Sequence, residues 1–190
     1  KKYKINNFYG LPGTNFTVGS LIATLCGVPF KLPNFPFDRF WKVKDYIFYS
    51  KILNKHKCIQ DLLNEKNYNT EFIVNYGINF QGLNNFLKNH SFDKIYSNED
   101  LKKLYKPNPN GFFGAIPDAD LFDFALKRIE KNINKKFFIV INNTDTHKPG
   151  NLYSREKCED LLNLNEIDIA YLCTLKKLNK FITKIDNMKL

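Results

Sequence analysis

The segment Lys136 to Asn142 constrains this chain more than any other. Phe137-Phe138-Ile139-Val140-Ile141 is an unbroken apolar run between polar ends. A strand that is apolar on both faces must be buried on both faces, which marks a parallel strand inside an α/β sheet. Helical patterns flank it. Asp118 to Lys131 carries Leu121, Phe122, Ala125, Leu126 and Ile129 as one stripe, with Asp118 as its cap. Asn163 to Ile185 is a long helix, apolar at Ile167, Ala170, Tyr171, Leu175, Leu178 and Ile182. Further upstream, the spacing predicts a helix from about Val18 to Leu25, capped by Thr14 or Thr17 and ended by Gly27-Val28-Pro29. Leu32 to Phe37 holds two prolines and reads as extended or irregular, and aromatic residues crowd from Phe35 to Tyr49. Cys58 to Lys66 reads as a helix with Ile59, Leu62 and Leu63 inward, Thr70 to Val74 as a strand, Leu83 to Asn89 as a short helix and Phe92 to Tyr96 as an edge strand. Strand and helix alternate, so the class is α/β.

The chain has 190 residues, enough for one domain with a core and too few for two ordinary ones. The turn-rich stretch Lys106 to Gly111 has strong patterns on both sides and reads as a loop within that domain. The five-residue apolar run is the longest, against roughly 20 for a membrane span. Net charge is +10, from 29 basic and 19 acidic residues. Only Arg39, Arg128 and Arg155 are arginines, and Arg forks dominate base-edge and phosphate recognition. The scattered lysines read as a solvated surface, and nucleic acid is not expected as a partner. A Lys-rich face also suits anionic lipid head groups.

Two segments can carry chemistry. In Gly13-Thr14-Asn15-Phe16-Thr17-Val18-Gly19-Ser20 a hydroxyl stands where a glycine-broken loop enters a helix. Free N–H groups and the helix dipole there favour an anion and lower the cost of ionising a hydroxyl. The alternative is plain helix capping. The second is Asn142-Asn143-Thr144-Asp145-Thr146-His147-Lys148-Pro149-Gly150, directly after the buried strand. Ligands of open α/β sheets bind just beyond the carboxyl ends of strands, so His147 is a candidate site residue. The alternative is an incidental surface histidine. His56 and His90 sit in polar helical contexts and read as surface residues. There is no Cys-x-x-Cys, no His-x-x-x-His and no phosphate-binding Gly-x-x-x-x-Gly-Lys-Ser. From the residues alone, this is half a site.

Taken together, the motifs resemble a known family. Gly13 to Pro29 is similar to the nucleophile segment of the sulfatase-like branch of the alkaline phosphatase superfamily, closest to phosphoglycerol transferases and lipoteichoic-acid-synthase-type enzymes. Cys58-Ile59-Gln60-Asp61 through Tyr68-Asn69-Thr70-Glu71-Phe72-Ile73 resembles that branch's next stretch, and Asn79-Phe80-Gln81-Gly82 to Phe92-Asp93 the one after. Gly114-Ala115-Ile116-Pro117-Asp118 and Thr144-Asp145-Thr146-His147-Lys148-Pro149-Gly150 follow in the family's order, and Asn165 to Ile182 resembles the helix beyond. The resemblance covers nearly the whole chain. It implies an alkaline-phosphatase-like sheet flanked by helices, incomplete at both ends, with residues 1–190 as the central part of a single catalytic domain.

The resemblance further implies a metal-dependent phosphotransferase of the cell envelope, moving phosphoglycerol or phosphoethanolamine through a phospho-threonine. Thr17 is the implied nucleophile, because Ser20 stands at the family's three-place offset, and Thr14 is the alternative. His147 is implied to bind a substrate phosphoryl oxygen. A divalent ion, Mn, Mg or Zn, is implied in the complete enzyme. Thr17 is its one ligand in this chain, so the chain alone is expected to hold none and to be inactive. Phe113 replaces the family's usual Trp, and the basic residue of many relatives near Leu83 is absent. The implied partners are a phospholipid or glycan-phosphate substrate, in a membrane-proximal, periplasmic or extracellular-facing domain. A chain lacking neighbouring strands is also expected to expose an apolar face and self-associate. Competing readings are a sulfatase, a phosphodiester hydrolase or a non-catalytic binding domain. The sulfatase reading lacks the Cys or Ser that becomes formylglycine.

Four cysteines allow three pairings. The resemblance, whose motifs carry Cys at both Cys26 and Cys58, implies that pair and with it Cys158–Cys173. The alternative is four free buried thiols.

Overall fold

The computed structural model describes residues 14, 16–28, 53–79, 82–108, 114–150 and 164–188. The loop before Thr14, the run Phe35 to Tyr49, Phe113 and Cys158 lie outside these residues. Two compact units divide the chain, Lys1–Leu62 with Asn79–Ser91, and Leu63–Ile78 with Phe92–Leu190.

The second unit holds the sheet. Strand β1 (Asn69–Val74) is central, with β2 (Lys94–Tyr96) on one side and β3 (Phe137–Asn142) on the other, both parallel to it. Val74 pairs with Asn142 and Ile73 with Tyr96, so all three carboxyl ends lie along one edge. Phe72, Ile73 and Val74 are fully buried, as a central parallel strand requires. β3 is half-buried along its length, not fully buried as its composition suggests. It is an outer strand of the described sheet, so among the described residues only one of its edges is covered.

Helix α5 (Asp118–Asn132), after the short helix α4 (Asn98–Leu101), packs on the sheet. Its expected stripe of Leu121, Phe122, Ala125, Leu126 and Ile129 is buried and joins Ile73, Ile116 and Phe181 in one core. Arg128, on the same helix, turns inward and pairs with Glu71 of β1 through two bonds of 2.6 and 2.8 Å. Asp118 is not the cap of this helix. Pro117 holds that position, and the Asp118 carboxylate is buried beneath it.

Helix α6 (Glu166–Asn187) is capped by Asn165, whose side chain accepts from the Asp168 N–H at 3.0 Å. Its buried face is only partly the predicted one. Of the expected residues Ala170 is buried and Leu178 packs against the core. Ile169, Cys173, Thr174 and Phe181 are also inward, and Phe181 stacks on Phe122 at 5.2 Å. Tyr171, Leu175 and Ile182 are 52%, 56% and 46% exposed. The helix is apolar on two adjacent faces, and periodicity alone does not choose between them. None of the described helices is long and apolar enough to cross a membrane.

The first unit holds α1 (Thr17–Cys26), α2 (Ile59–Asn64, which runs on past the unit boundary) and α3 (Leu83–Asn89). Gly27 ends α1 in the left-handed region, its N–H bonding the Ala23 carbonyl, as the sequence implies. Cys26 and Cys58 form a disulfide. It rotates α2 against its own apolar pattern: Gln60 is buried while Ile59 and Leu62 are 44% and 49% exposed. Cys173 is also disulfide-bonded. Titration of unreduced, denatured protein with a thiol reagent should find no free thiol, since none of the described cysteines is free. Detection of two or four would contradict this pairing.

Candidate active site

Thr17 is the first residue of α1. Phe16 stands before it in extended conformation, and its carbonyl accepts the Ser20 N–H at 3.0 Å to close the first turn. Phe16 holds the cap position and makes no side-chain cap bond, so Thr17 is the first residue of the helix and not its cap. Thr17 thus stands at the positive end of the helix dipole. Val18, Leu21, Ile22 and Leu25 anchor the helix in the unit, which fixes where Thr17 stands.

His147 lies in the other unit, at the carboxyl edge of the sheet. Its backbone N–H bonds the Thr144 carbonyl at 2.8 Å, and its own carbonyl accepts from Gly150 at 2.8 Å. Its ring is exposed, with Nδ1 2.8 Å from the Lys148 carbonyl. A carbonyl only accepts, so this contact is a hydrogen bond in the form that carries a proton on Nδ1. Gly150 has φ +111°, and a Cβ there would lie 2.7 Å from the Glu166 carbonyl at the start of α6. Gly150→Ala should therefore cost about 1–3 kcal/mol and disturb the His147 turn. Chemical denaturation of the pair would measure it, and an unchanged midpoint would contradict the close approach.

Beneath this loop lies a buried polar network that the sequence did not reveal. Asp118 accepts from the Asn75 and Asn143 side chains at 2.9 and 2.7 Å, and from the Thr144 and Asp145 N–H groups at 3.2 and 3.3 Å. The Thr174 hydroxyl donates to it at 3.2 Å. Asp145 accepts the Asp118 N–H at 3.2 Å and pairs with Lys177 at 2.9 Å. Burial, and then the Asp145 charge, push the Asp118 pKa up, against the hydrogen bonds from Asn143, Thr144 and Asp145. Asn75 could have been suspected as a polar residue ending a buried strand. Lys177 carries no such signal among so many lysines.

His90 is not a surface residue as its sequence context suggests. It is 3% exposed, its Nδ1 is 2.9 Å from an Asp61 oxygen, and its ring packs on Phe86. His56 is exposed, with Nε2 3.0 Å from the Cys26 carbonyl. Cys58, Asp61 and His90 converge closely enough to suggest a metal centre. The cluster does not fit one, because Cys58 is oxidised to a disulfide and has no thiolate to give. Thr17 supplies a single hydroxyl. Among the described residues no set fits a divalent ion, and the chemistry assignable here is that of the chain's own groups.

The sulfatase family model matches residues 3–185. The chain belongs to the sulfatase family. Among curated relatives, phosphoglycerol transferase I of Escherichia coli O127:H6 (strain E2348/69 / EPEC) is 29% identical over 182 residues, covering 92% of this chain and 23% of that protein. Its counterpart from Shigella boydii serotype 18 (strain CDC 3083-94 / BS512) is 28% identical over 182 residues, with 92% and 23% covered. The chain thus spans 23% of the length of these relatives. The lipoteichoic acid synthase LtaP of Listeria monocytogenes superposes with a TM-score of 0.61 at 18% identity, over 76% of this chain and 36% of that one. An alkaline phosphatase superfamily protein of Vibrio parahaemolyticus superposes with a TM-score of 0.54 at 23% identity, over 73% and 34%. These likenesses establish the fold.

Proposed function

We propose that this sulfatase-family chain carries the nucleophile and a phosphoryl-binding histidine of a cell-envelope phosphotransferase, with a phosphoglycerol- or phosphoethanolamine-bearing lipid or glycan as substrate. The observation that carries this reading is the His147 turn. It is held at the carboxyl edge of a parallel sheet, where ligands of α/β sheets bind, with its ring exposed and Nδ1 2.8 Å from the Lys148 carbonyl. The names of its relatives, phosphoglycerol transferase I and a lipoteichoic acid synthase, support the substrate class. Thr17 is proposed as the nucleophile of this reaction, with Thr14 as the alternative.

In the first half-reaction the Thr17 Oγ attacks phosphorus. The P–O bond to the donor's alcohol breaks, and that alcohol leaves with a proton. In the second, an acceptor hydroxyl attacks the phospho-threonine and Thr17 is restored. The helix N-terminus favours the ionised hydroxyl by only about 0.3–1 kcal/mol, so it assists and does not by itself account for the rate. His147 donates a hydrogen bond from its ring to a phosphoryl oxygen and stabilises charge that grows in the transition state. The disulfide suits an oxidising compartment outside the cytoplasm.

Thr17→Ala in the full-length protein tests this reading. Turnover of a phosphoglycerol-bearing lipid, or of a chromogenic phosphodiester, should fall to background while Thr17→Ser retains part of it. Retained turnover in Thr17→Ala beside loss in Thr14→Ala would move the nucleophile to Thr14. Retention in both would overturn the reading.

A further inference from the structure

We propose that Asp118 and Lys177 are positioning residues for His147, holding from beneath the loop that presents its imidazole. The inference rests on His147 being the phosphoryl-binding residue of the proposed function. Residues 143, 144 and 145 each send a donor to the one Asp118 carboxylate, at 2.7, 3.2 and 3.3 Å. With Asn75 and Thr174 five donors converge there, on a group with about four lone-pair sites. Asp118 thereby ties together the ends of β1 and β3, the start of α5 and the middle of α6.

The link to His147 is short. Thr144 gives its N–H to Asp118 and its carbonyl accepts the His147 N–H at 2.8 Å, so one peptide unit separates the anchor from the histidine. Asp145, on the next peptide, receives the Asp118 N–H and is met by Lys177. Both members of that ion pair are buried, with side chains 1% and 13% exposed. Two carboxylates and one lysine are an expensive way to fill a core where apolar side chains would do. What the arrangement supplies is geometry: the loop is tied to Asp118 at residues 143, 144 and 145, and Gly150 closes its far end against α6. Misplacing a substrate-positioning group by about 1 Å can cost on the order of 10²-fold in rate.

The test has two arms. In the 190-residue chain, the ring nitrogens and protons of His147 are followed by NMR in Lys177→Met, Lys177→Arg and Thr174→Val. His147 signals should move in Lys177→Met and return towards the parent in Lys177→Arg, with those of His56 unmoved. Should Lys177→Met not fold, Thr174→Val, which removes only a hydroxyl from the Asp118 carboxylate, is read in its place. A folded variant with unmoved His147 signals overturns the inference. In the full-length enzyme, Lys177→Met should lower kcat roughly tenfold to a hundredfold with KM little changed, and should add no further loss to His147→Gln. Losses that multiply in the double variant also overturn it. If ring signals move as expected but His147→Gln itself has full activity, the proposed function fails while the positioning of His147 stands.

Discussion

Arg128→Met should destabilise the sheet-bearing unit by about 3–5 kcal/mol, the scale for removing one partner of a buried ion pair. Glu71 lies on the central strand with its side chain 2% exposed, and the Arg128 guanidinium meets both of its oxygens. Asn132 adds a bond of 3.2 Å, and the guanidinium lies 5.0 Å from the centre of the Tyr96 ring. Methionine fills the space but leaves a carboxylate in the core with one amide for company. The pH dependence gives the sign. Burial works to raise the Glu71 pKa, but the hydrogen bonds from Arg128 and Asn132 outweigh it and leave the group below its ordinary value of 4.5. A depressed carboxylate stabilises the fold above its unfolded pKa, and that stability is lost as pH falls through the folded value. In Arg128→Met the Glu71 pKa should instead rise, so the variant's deficit is largest near neutrality and shrinks as acid protonates Glu71. Urea denaturation of both proteins from neutral pH into mild acid would show this. A deficit that does not change with pH would mean the loss is one of packing alone. Arg128→Lys should restore only part of the stability, because one ammonium cannot replace a two-toothed fork.

His147→Ala in the full-length enzyme should lower kcat by roughly 10²–10³-fold, the cost of one lost donor to a charged transition state. The fold should be little affected. The ring is exposed, and the turn is held by backbone bonds from Thr144 and Gly150 and by the network under it. Stability should change by well under 1 kcal/mol, as for most surface substitutions. Steady-state kinetics beside a melting curve would separate the two effects. Equal activity in parent and variant would remove His147 from the site and return it to the incidental surface histidine the sequence also allowed.

Some elements were legible because one local rule dominated them. The α5 stripe from Leu121 to Ile129 is buried as its 3.6-residue period requires, and α3 begins and ends at Leu83 and Asn89 as expected. The unbroken apolar run found its parallel partner in β1. Other elements answered to constraints that a local pattern does not contain. A disulfide turned α2 so that Gln60 is inward and Ile59 outward. Two competing apolar faces on α6 were decided by packing on Phe122. Asp118 looked like a helix cap because caps are acidic. Its partners at 75, 143 to 145 and 174 come together only once the sheet has formed. The places of His147, in the loop after a strand, and of Thr17, at a helix start, were legible. The residues that hold the His147 loop were not, since Lys177 reads like any other lysine until Asp145 is beside it.

The central claim is that Thr17 becomes covalently phosphorylated. The full-length protein, mixed with a phosphoglycerol-bearing donor and quenched before acceptor is added, should yield one modified peptide by mass spectrometry. Fragmentation should place the phosphoester on Thr17, with no adduct in Thr17→Ala and more of it in His147-intact protein than in His147→Ala. An active enzyme whose trapped adduct lies on another residue, or that turns over donor with no covalent adduct at any quench time, would contradict the account.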